Sequence, residues 1–302
     1  MRIMLMTVAL LFAHACVEAG AAVRLAVMGC GPYTDAASEA LPRFVADEQL
    51  RGEADYLVHL GDLVTGARGR AGLEEAVYRD FASVLRGDGT IPVIVTLGDN
   101  EWNDTSDPAA SLAHWNTHLQ PLNRATGEAR NWREQAGETG NFAFDHDGVR
   151  IIALRLTGGA VYDTAVIDAM VSNAGAWVEQ ELTHELEGIA AAVVLLQAHP
   201  VPDSNPYKTD KQGRPIVRVR HQAFLDGLVA GAQAFERPLL ICHADKHTWR
   251  WDTGYADQPN ITRMEVAKLG PADPPVLVTV DPDAEAVFTV DRRLDQVPET
   301  SE

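Results

Sequence analysis

The feature that most constrains the fold is an alternation of short apolar runs with amphipathic stretches in the first third of the chain. Residues 23–29, 55–60 and 91–97 are apolar runs that end in glycine or in Gly-Asp, which is typical of strands buried on both faces. Residues 36–51 and 73–86 lie between them and have helical periodicity. Strand, helix, strand, helix, strand predicts a parallel sheet with right-handed crossovers, and therefore an α/β fold.

The rest of the chain continues the α/β pattern with additional antiparallel elements. We predict a hairpin from residues 142–145 and 149–156 around the Asp147-Gly148 turn. Helices are expected at 164–187 and 219–235, and strands at 192–197 and 238–242. The tail is predicted to form antiparallel strands at 261–268, 276–281 and 286–290. The polar stretches 101–139 and 201–215 are expected to form walls around a substrate, because long loops often carry recognition. The first of these stretches contains His114, Trp115 and His118.

The N-terminus has the pattern of a secretory signal. Arg2 precedes an apolar run at 3–12, and small residues follow it up to Ala22. This run is too short to span a bilayer, so we predict a cleaved signal peptide at 1–22 and a single domain at 23–302. The protein is then periplasmic or secreted. A lipid anchor on Cys16 is the alternative, although the residues before it match such a signal poorly.

The charge balance narrows the range of partners. The 302 residues include 25 Lys and Arg against 43 Asp and Glu, for a net charge of −18. Binding to nucleic acid or to anionic lipid depends largely on basic residues, so neither is expected. A small phosphorylated substrate remains compatible with this charge if a metal ion holds it, because the ion reverses the local field.

Side chains that bind metals follow four of the predicted strands. They are Asp62, the pair Asp99-Asn100, His199, and the group His243, Asp245 and His247. The carboxyl ends of strands in an open α/β sheet are where ligands gather. A mixture of carboxylates and imidazoles suits Mn, Fe, Zn or Mg. Strand alternation would place His243, Asp245 and His247 on one side.

These strings resemble the motifs of the calcineurin-like metallophosphoesterases. The matching strings are Gly61-Asp62, Gly98-Asp99-Asn100-Glu101-Trp102, the isolated His199, and Ala244-Asp245-Lys246-His247. A late Asn-x-x-Arg-x-Glu at Asn260, Arg263 and Glu265 is similar to a bacterial exported branch of that superfamily. The resemblance covers about residues 23–291. It implies a four-layer α/β/β/α sandwich and the hydrolysis of phosphate esters.

The resemblance also implies a site for one or two divalent metal ions. Asp62 would bridge both ions. Asp99, His199 and Asp245 would complete one half-site, and His247 would serve the other. Asn100 would contact the phosphate as the catalytic residue, and Lys246 and Arg250 are the candidates for a phosphate clamp.

Two departures from the motifs bear on activity. Cys30 and Pro32 occupy the positions of the Asp and His of the first motif, and Asn100 occupies that of the phosphate-contacting His. A side chain of Pro cannot bind a metal, and Cys30 is expected either to be buried as a small apolar residue or to act as a thiolate ligand. We therefore expect one ion to bind firmly and a second weakly or not at all. A disulfide between Cys30 and Cys242 is a further possibility in an oxidising compartment.

Two functions follow. The first is an exported metal-dependent phosphoesterase. The second is an inactive protein of the same fold that binds a metal or a phosphorylated ligand.

Overall fold

The computed structural model describes residues 21–127, 131–201, 207–209 and 215–294. The predicted signal peptide and Cys16 lie outside these residues, apart from 21 and 22. In chain order the strands are β1 Val23–Met28, β2 Tyr56–His59, β3 Val93–Val95, β4 Arg133–Glu134, β5 Phe142–His146, β6 Val149–Ala153, β7 Ala191–Leu195, β8 Tyr207–Thr209, β9 Pro215–Val217, β10 Leu239–His243, β11 Arg250–Thr253, β12 Ile261–Glu265, β13 Val276–Val280 and β14 Phe288–Asp291. The helices are α1 Asp35–Arg51, α2 Gly66–Ala71, α3 Glu75–Arg86, α4 Pro108–His118, α5 Gln120–Gly127, α6 Thr164–Thr183 and α7 Gln222–Phe235.

Two sheets pack face to face. The five-stranded sheet has the order β14-β13-β1-β2-β3, and the seven-stranded sheet has the order β11-β12-β10-β7-β6-β5-β4. Along β1, Val23, Leu25 and Val27 enter the apolar core shared with the second sheet. Ala26 and Met28 point the other way, into the core that includes the helices. This period of two is what a strand buried on both faces requires. The expected α/β/β/α sandwich is confirmed.

The predicted parallel sheet is also confirmed. β1 pairs in parallel with β2, and β2 pairs in parallel with β3. The hairpin of β5 and β6 forms as expected, and Asp147 and Gly148 both have positive φ angles, 46° and 77°. Such a two-residue turn matches the right-handed twist of the flanking strands. The second strand of the hairpin, β6, ends at Ala153, earlier than the predicted end at residue 156.

The polar stretch 101–139 is not a loop as predicted. It contains α4 and α5. The start of α4 is set by Asp107, which accepts a hydrogen bond from the backbone N–H of Ala110, and by Pro108 in the first turn. The buried indole of Trp115 fixes the helix to the core. The stretch 201–215 lies largely outside the described residues.

The prediction of an antiparallel tail is wrong for its first strand, which was expected at residues 261–268. β12 pairs in parallel with β10 and belongs to the seven-stranded sheet, whereas β13 and β14 belong to the other sheet. The cause is β11, which the sequence did not reveal: it lies antiparallel to β12 at the sheet edge and reverses the chain first. As a result, Glu265 lies beside His243 at the carboxyl end of β10.

Within the described part of the chain, every helix is too short or too polar to cross a bilayer.

Candidate metal centre

The loops that follow the parallel strands meet at one edge of the two sheets. The backbone N–H of Cys30 donates to the carbonyl of Gly61 at 3.0 Å, which joins the loop after β1 to the loop after β2. In the second sheet, the N–H of Ala244 donates to the carbonyl of Gln197 at 3.1 Å. The strand ends that carry the predicted ligands are therefore held together by backbone hydrogen bonds.

Asp62 is the centre of this edge. Its Oδ2 accepts a hydrogen bond from the Tyr33 hydroxyl at 2.9 Å and lies 3.5 Å from the thiol of Cys30. Its Oδ1 lies 3.3 Å from the backbone N–H of Asn100. Burial, and then the charge of Glu101, raise the pKa of Asp62 to about 7. A buried carboxylate with this environment is stabilised in its charged form by a cation.

Asp99 lies beside Asp62 and is also buried. Burial, followed by the charges of Asp62 and Asp245, raises the pKa of Asp99 well above its usual value. One of its oxygens accepts a hydrogen bond from Nε2 of Gln197 at 2.8 Å. The backbone of Gly159 lies close to the other oxygen. A Cβ added to Gly159 would be 2.6 Å from Oδ2 of Asp99, so glycine is required there.

Asp245 and His247 lie in the loop after β10, not on the strand. The prediction that alternation aligns them with His243 is wrong, because β10 ends at His243 and both residues have left-handed backbone angles, with φ 80° for Asp245 and 62° for His247. The imidazole of His247 packs edge-on against the ring of Tyr33, with centroids 5.3 Å apart. The possible ligand atoms of Cys30, Asp62 and His247 all lie within 4.8 Å of one another.

His199 faces a different group of side chains. Its Nδ1 lies 3.2 Å from Oε2 of Glu265, and its ring centroid lies 5.0 Å from that of His243. The ligand atoms of these three residues also lie within 4.8 Å of one another. The same Glu265 oxygen lies 3.1 Å from Nε of Arg250. Glu265 thus lies against both His199 and Arg250, a contact that the sequence alone did not predict.

The side chains expected to contact phosphate are at the surface of the site. Nδ2 of Asn100 donates to the Tyr33 hydroxyl at 3.1 Å, so Asn100, Tyr33 and Asp62 form one hydrogen-bonded chain. The ammonium of Lys246 pairs with Asp245, and the guanidinium of Arg250 pairs with Glu265. Lys246 and Arg250, the candidates for a phosphate clamp, are both half exposed. The charge of Lys246 lies beside the candidate ligand Asp245, and that of Arg250 lies beside Glu265.

Sequence reasoning did not assign a role to Glu101, Gln197 or Tyr33. Each lies within three residues of a candidate ligand (Asp99, His199 or Cys30), and that proximity is the signal that could have identified them. Cys30 and Cys242 are both free and buried, so the proposed disulfide is absent.

Several candidate ligands have strained backbone conformations. Positive φ angles are found at Cys30 (53°), Asp62 (62°), Asp245 (80°) and His247 (62°). Each such residue costs on the order of 1–3 kcal/mol, and the conformation persists only where the surroundings enforce it. Strain of this kind concentrates at functional sites.

A comparison with protein-family models gives one decisive match. The model of the calcineurin-like phosphoesterases matches residues 30–247. The chain belongs to the calcineurin-like phosphoesterase family. Members of this family use divalent metal ions, and the matched segment contains Asp62, Asp99, His199, Asp245 and His247.

A solved structure supports the fold of this chain. A dimetal phosphatase from Danio rerio aligns with a TM-score of 0.52 at 11% identity, covering 89% of this chain and 98% of that chain. The protein TT1561 of Thermus thermophilus aligns with a TM-score of 0.45 at 12% identity, covering 90% and 99% of the two chains. At 11% identity the likeness to the dimetal phosphatase concerns the fold alone. No curated protein matches the sequence at a significant level.

Proposed function

We propose that this protein hydrolyses small phosphate esters with one or two bound divalent metal ions. The observation that carries the proposal is the crowding of buried carboxylates at the sheet edge. Burial raises the pKa values of both Asp62 and Asp99, and the nearby charge of Asp245 raises both further. Uncompensated buried charges of one sign are costly, so this donor set fits a cation.

The proposed ligands are those expected from the motifs: Asp62, Asp99, His199, Asp245 and His247. Asp62 has the central position that a bridging ligand needs. The contact of His199 with Glu265 supports its role, because histidines that bind metals usually contact a carboxylate through their other ring nitrogen. Bound divalent ions would polarise the phosphoryl group and lower the pKa of a water molecule.

The protein's own polar groups would bind and orient the ester. Asn100 can donate a hydrogen bond from Nδ2 to a phosphate oxygen, although its amide does not act as an acid near neutral pH. Lys246 and Arg250 supply positive charge at the rim, where it would stabilise the charge that develops on the phosphoryl oxygens.

We also propose that the chain is exported, on the basis of the N-terminal sequence pattern. N-terminal sequencing of the protein secreted or released from the periplasm of its host should give a start close to residue 23. A mature chain that retains Met1 would contradict export by cleavage.

The function is tested with chelator-stripped protein supplied in turn with Mn, Zn, Ni, Fe and Mg. A phosphomonoester and a phosphodiester of p-nitrophenol serve as substrates. Asp62→Asn should abolish turnover, whereas Asp168→Asn, an exposed change on α6, should leave it intact.

Turnover that survives Asp62→Asn would contradict the proposal, because it would come from another enzyme in the preparation. Absence of turnover with every metal, combined with tight metal binding, would favour the alternative of an inactive metal-binding protein.

A further inference from the structure

Cys30 occupies the position at which the first motif of the family has a carboxylate ligand. It lies at the end of β1 with a left-handed φ of 53°, and its side chain is fully buried. Its surroundings are nevertheless polar: the thiol lies 3.5 Å from Oδ2 of Asp62, and the sulfur accepts the backbone N–H of Asp245 at 3.2 Å. A cysteine that served only as a small apolar residue would not need these contacts.

Cys242, the other cysteine in the described part of the chain, provides an internal comparison. Cys242 is equally buried and belongs to the same apolar core between the sheets. Burial raises the pKa of both thiols; nearby carboxylates raise that of Cys30 further, whereas no charged neighbour contributes at Cys242. Cys242 therefore shows what a structural thiol looks like in this protein, and Cys30 differs from it by facing carboxylates and an imidazole.

We propose that Cys30, Asp62 and His247 form a half-site for a thiophilic divalent ion, with Zn²⁺ as the preferred type, and that Cys30 is a thiolate ligand in it. This inference rests on the proposed metal-dependent function and goes further by assigning a ligand and an ion class. The three ligand atoms lie within 4.8 Å of one another. A cysteine in place of the carboxylate of the motif then makes the half-site selective for soft ions and does not abolish the half-site.

The distance between two of the ligands fits this assignment. Zn–S and Zn–O bonds of about 2.3 and 2.1 Å at a tetrahedral angle place the sulfur and oxygen about 3.6 Å apart. The observed separation of Cys30 Sγ and Asp62 Oδ2 is 3.5 Å. Little movement is therefore needed for both atoms to bind one ion.

The ligand set also explains why the ion should be thiophilic. Thiolate ligands favour Zn²⁺ and related ions over Mg²⁺ or Mn²⁺. When the ion binds, the S–H bond of Cys30 breaks, a metal–sulfur bond forms and the proton leaves to solvent. Three protein ligands leave a fourth tetrahedral position open, as in catalytic zinc sites. The Asp245 N–H and the Tyr33 hydroxyl can keep their hydrogen bonds to the sulfur and to Asp62.

The test is a titration of the chelator-stripped full chain with Co²⁺, a spectroscopic substitute for Zn²⁺. We expect the near-ultraviolet thiolate-to-cobalt charge-transfer band in the wild type and in Cys242→Ala, and its loss in Cys30→Ser. X-ray absorption of the Zn²⁺-loaded wild type should show a sulfur neighbour at about 2.3 Å. This second measurement does not depend on any variant folding.

The outcomes separate the inference from the proposed function. Co²⁺ binding without a charge-transfer band, together with a zinc spectrum that contains only nitrogen and oxygen neighbours, would overturn the role of Cys30 and leave the metal centre intact. Failure of the wild type to bind any divalent ion would overturn both. Cys30→Asp gives a further check: it should raise Mn²⁺ affinity, because a carboxylate suits Mn²⁺ better than a thiolate does, and it should remove the band.

Discussion

Oε1 of Glu101 accepts the backbone N–H of Asp62 at 3.0 Å, and so fixes the position of the central candidate ligand from the neighbouring strand's loop. The same oxygen accepts the N–H of Gly98, and Oε2 accepts that of Leu63 at 3.0 Å. One buried carboxylate therefore joins the loop after β2 to the loop after β3. It satisfies three backbone donors that burial would otherwise leave unpaired.

Glu101→Gln should destabilise the protein. The amide NH₂ would replace one carboxylate oxygen and would then face a backbone N–H group, so two donors would point at each other. We expect a loss of about 1–3 kcal/mol in the free energy of unfolding, measured by urea denaturation. Glu74→Gln is the matched control, since the exposed Glu74 makes no capping hydrogen bond at the start of α3. Equal stability of the two variants would contradict the role of Glu101.

The pH dependence of the metal-free protein should report the raised pKa of Asp62, to which the raised pKa values of the buried Asp99 and Glu101 add in the same direction. Because burial raises this pKa from 3.8 to about 7, the folded state binds more protons than the unfolded state between these values. The resulting stability is present at low pH and is lost as the pH rises toward 7. The buried His59 and His243 act in the opposite direction, because burial lowers their pKa values to about 4 and about 3.

The difference between the wild type and Asp62→Asn isolates the carboxyl from these histidines. In the presence of a chelator, the wild type should lose stability relative to the variant by up to about 1.4 kcal/mol per pH unit between about pH 5 and 6, and by about half that per unit near pH 7. Urea denaturation at several pH values measures this. A relative gain in wild-type stability over that range would show that the carboxylate is already paired in the metal-free protein.

Glu265→Gln should weaken metal binding through His199. Glu265 is fully buried, contacts Nδ1 of His199 and accepts the N–H of Lys246 at 3.1 Å through its other oxygen. Loss of a carboxylate that contacts a metal-binding histidine typically lowers metal affinity about 10–100-fold. Calorimetric titration with Zn²⁺ measures the change. Glu179→Gln, an exposed change on α6, should have no effect, and unchanged affinity in Glu265→Gln would separate His199 from the metal.

Arg150 should be essential for stability and irrelevant to the metal. Its buried guanidinium donates to Asp145 at 2.8 Å and to the carbonyls of Glu181 and His184 at 2.6 and 2.7 Å, which ties β6 to the end of α6. Arg150→Met removes the guanidinium donor from the two carbonyls and leaves Asp145 with Arg133 as its remaining ion-pair partner, so we expect a loss of about 3–5 kcal/mol. The exposed Arg43→Met should be neutral. Metal affinity that falls in folded Arg150→Met would show coupling between this network and the site.

Much of the fold was predictable because its signals are local. A continuous apolar run followed by glycine identifies a parallel strand without knowledge of its neighbours, and Asp62 and Asp99 follow such runs directly. The Asp147-Gly148 turn is likewise decided by residues that tolerate positive φ. These features depend on short segments, whose preferences survive in the folded protein.

The parts that failed depend on contacts between distant segments. The group of His199, His243 and Glu265 exists because β12 inserts beside β10, and no periodicity within residues 261–268 records that choice. The positions of Asp245 and His247 are set by left-handed backbone angles after β10 ends, which strand alternation does not describe. Tertiary contacts enforce both arrangements.

The central claim is that Asp62 binds a divalent ion together with its neighbours at the sheet edge. The most direct measurement is anomalous scattering from crystals of the protein loaded with Mn²⁺ or Zn²⁺. We predict an anomalous peak within about 2–2.3 Å of a carboxylate oxygen of Asp62. A well-diffracting, metal-loaded crystal with no peak at Asp62, or with peaks only at surface residues, would contradict the account.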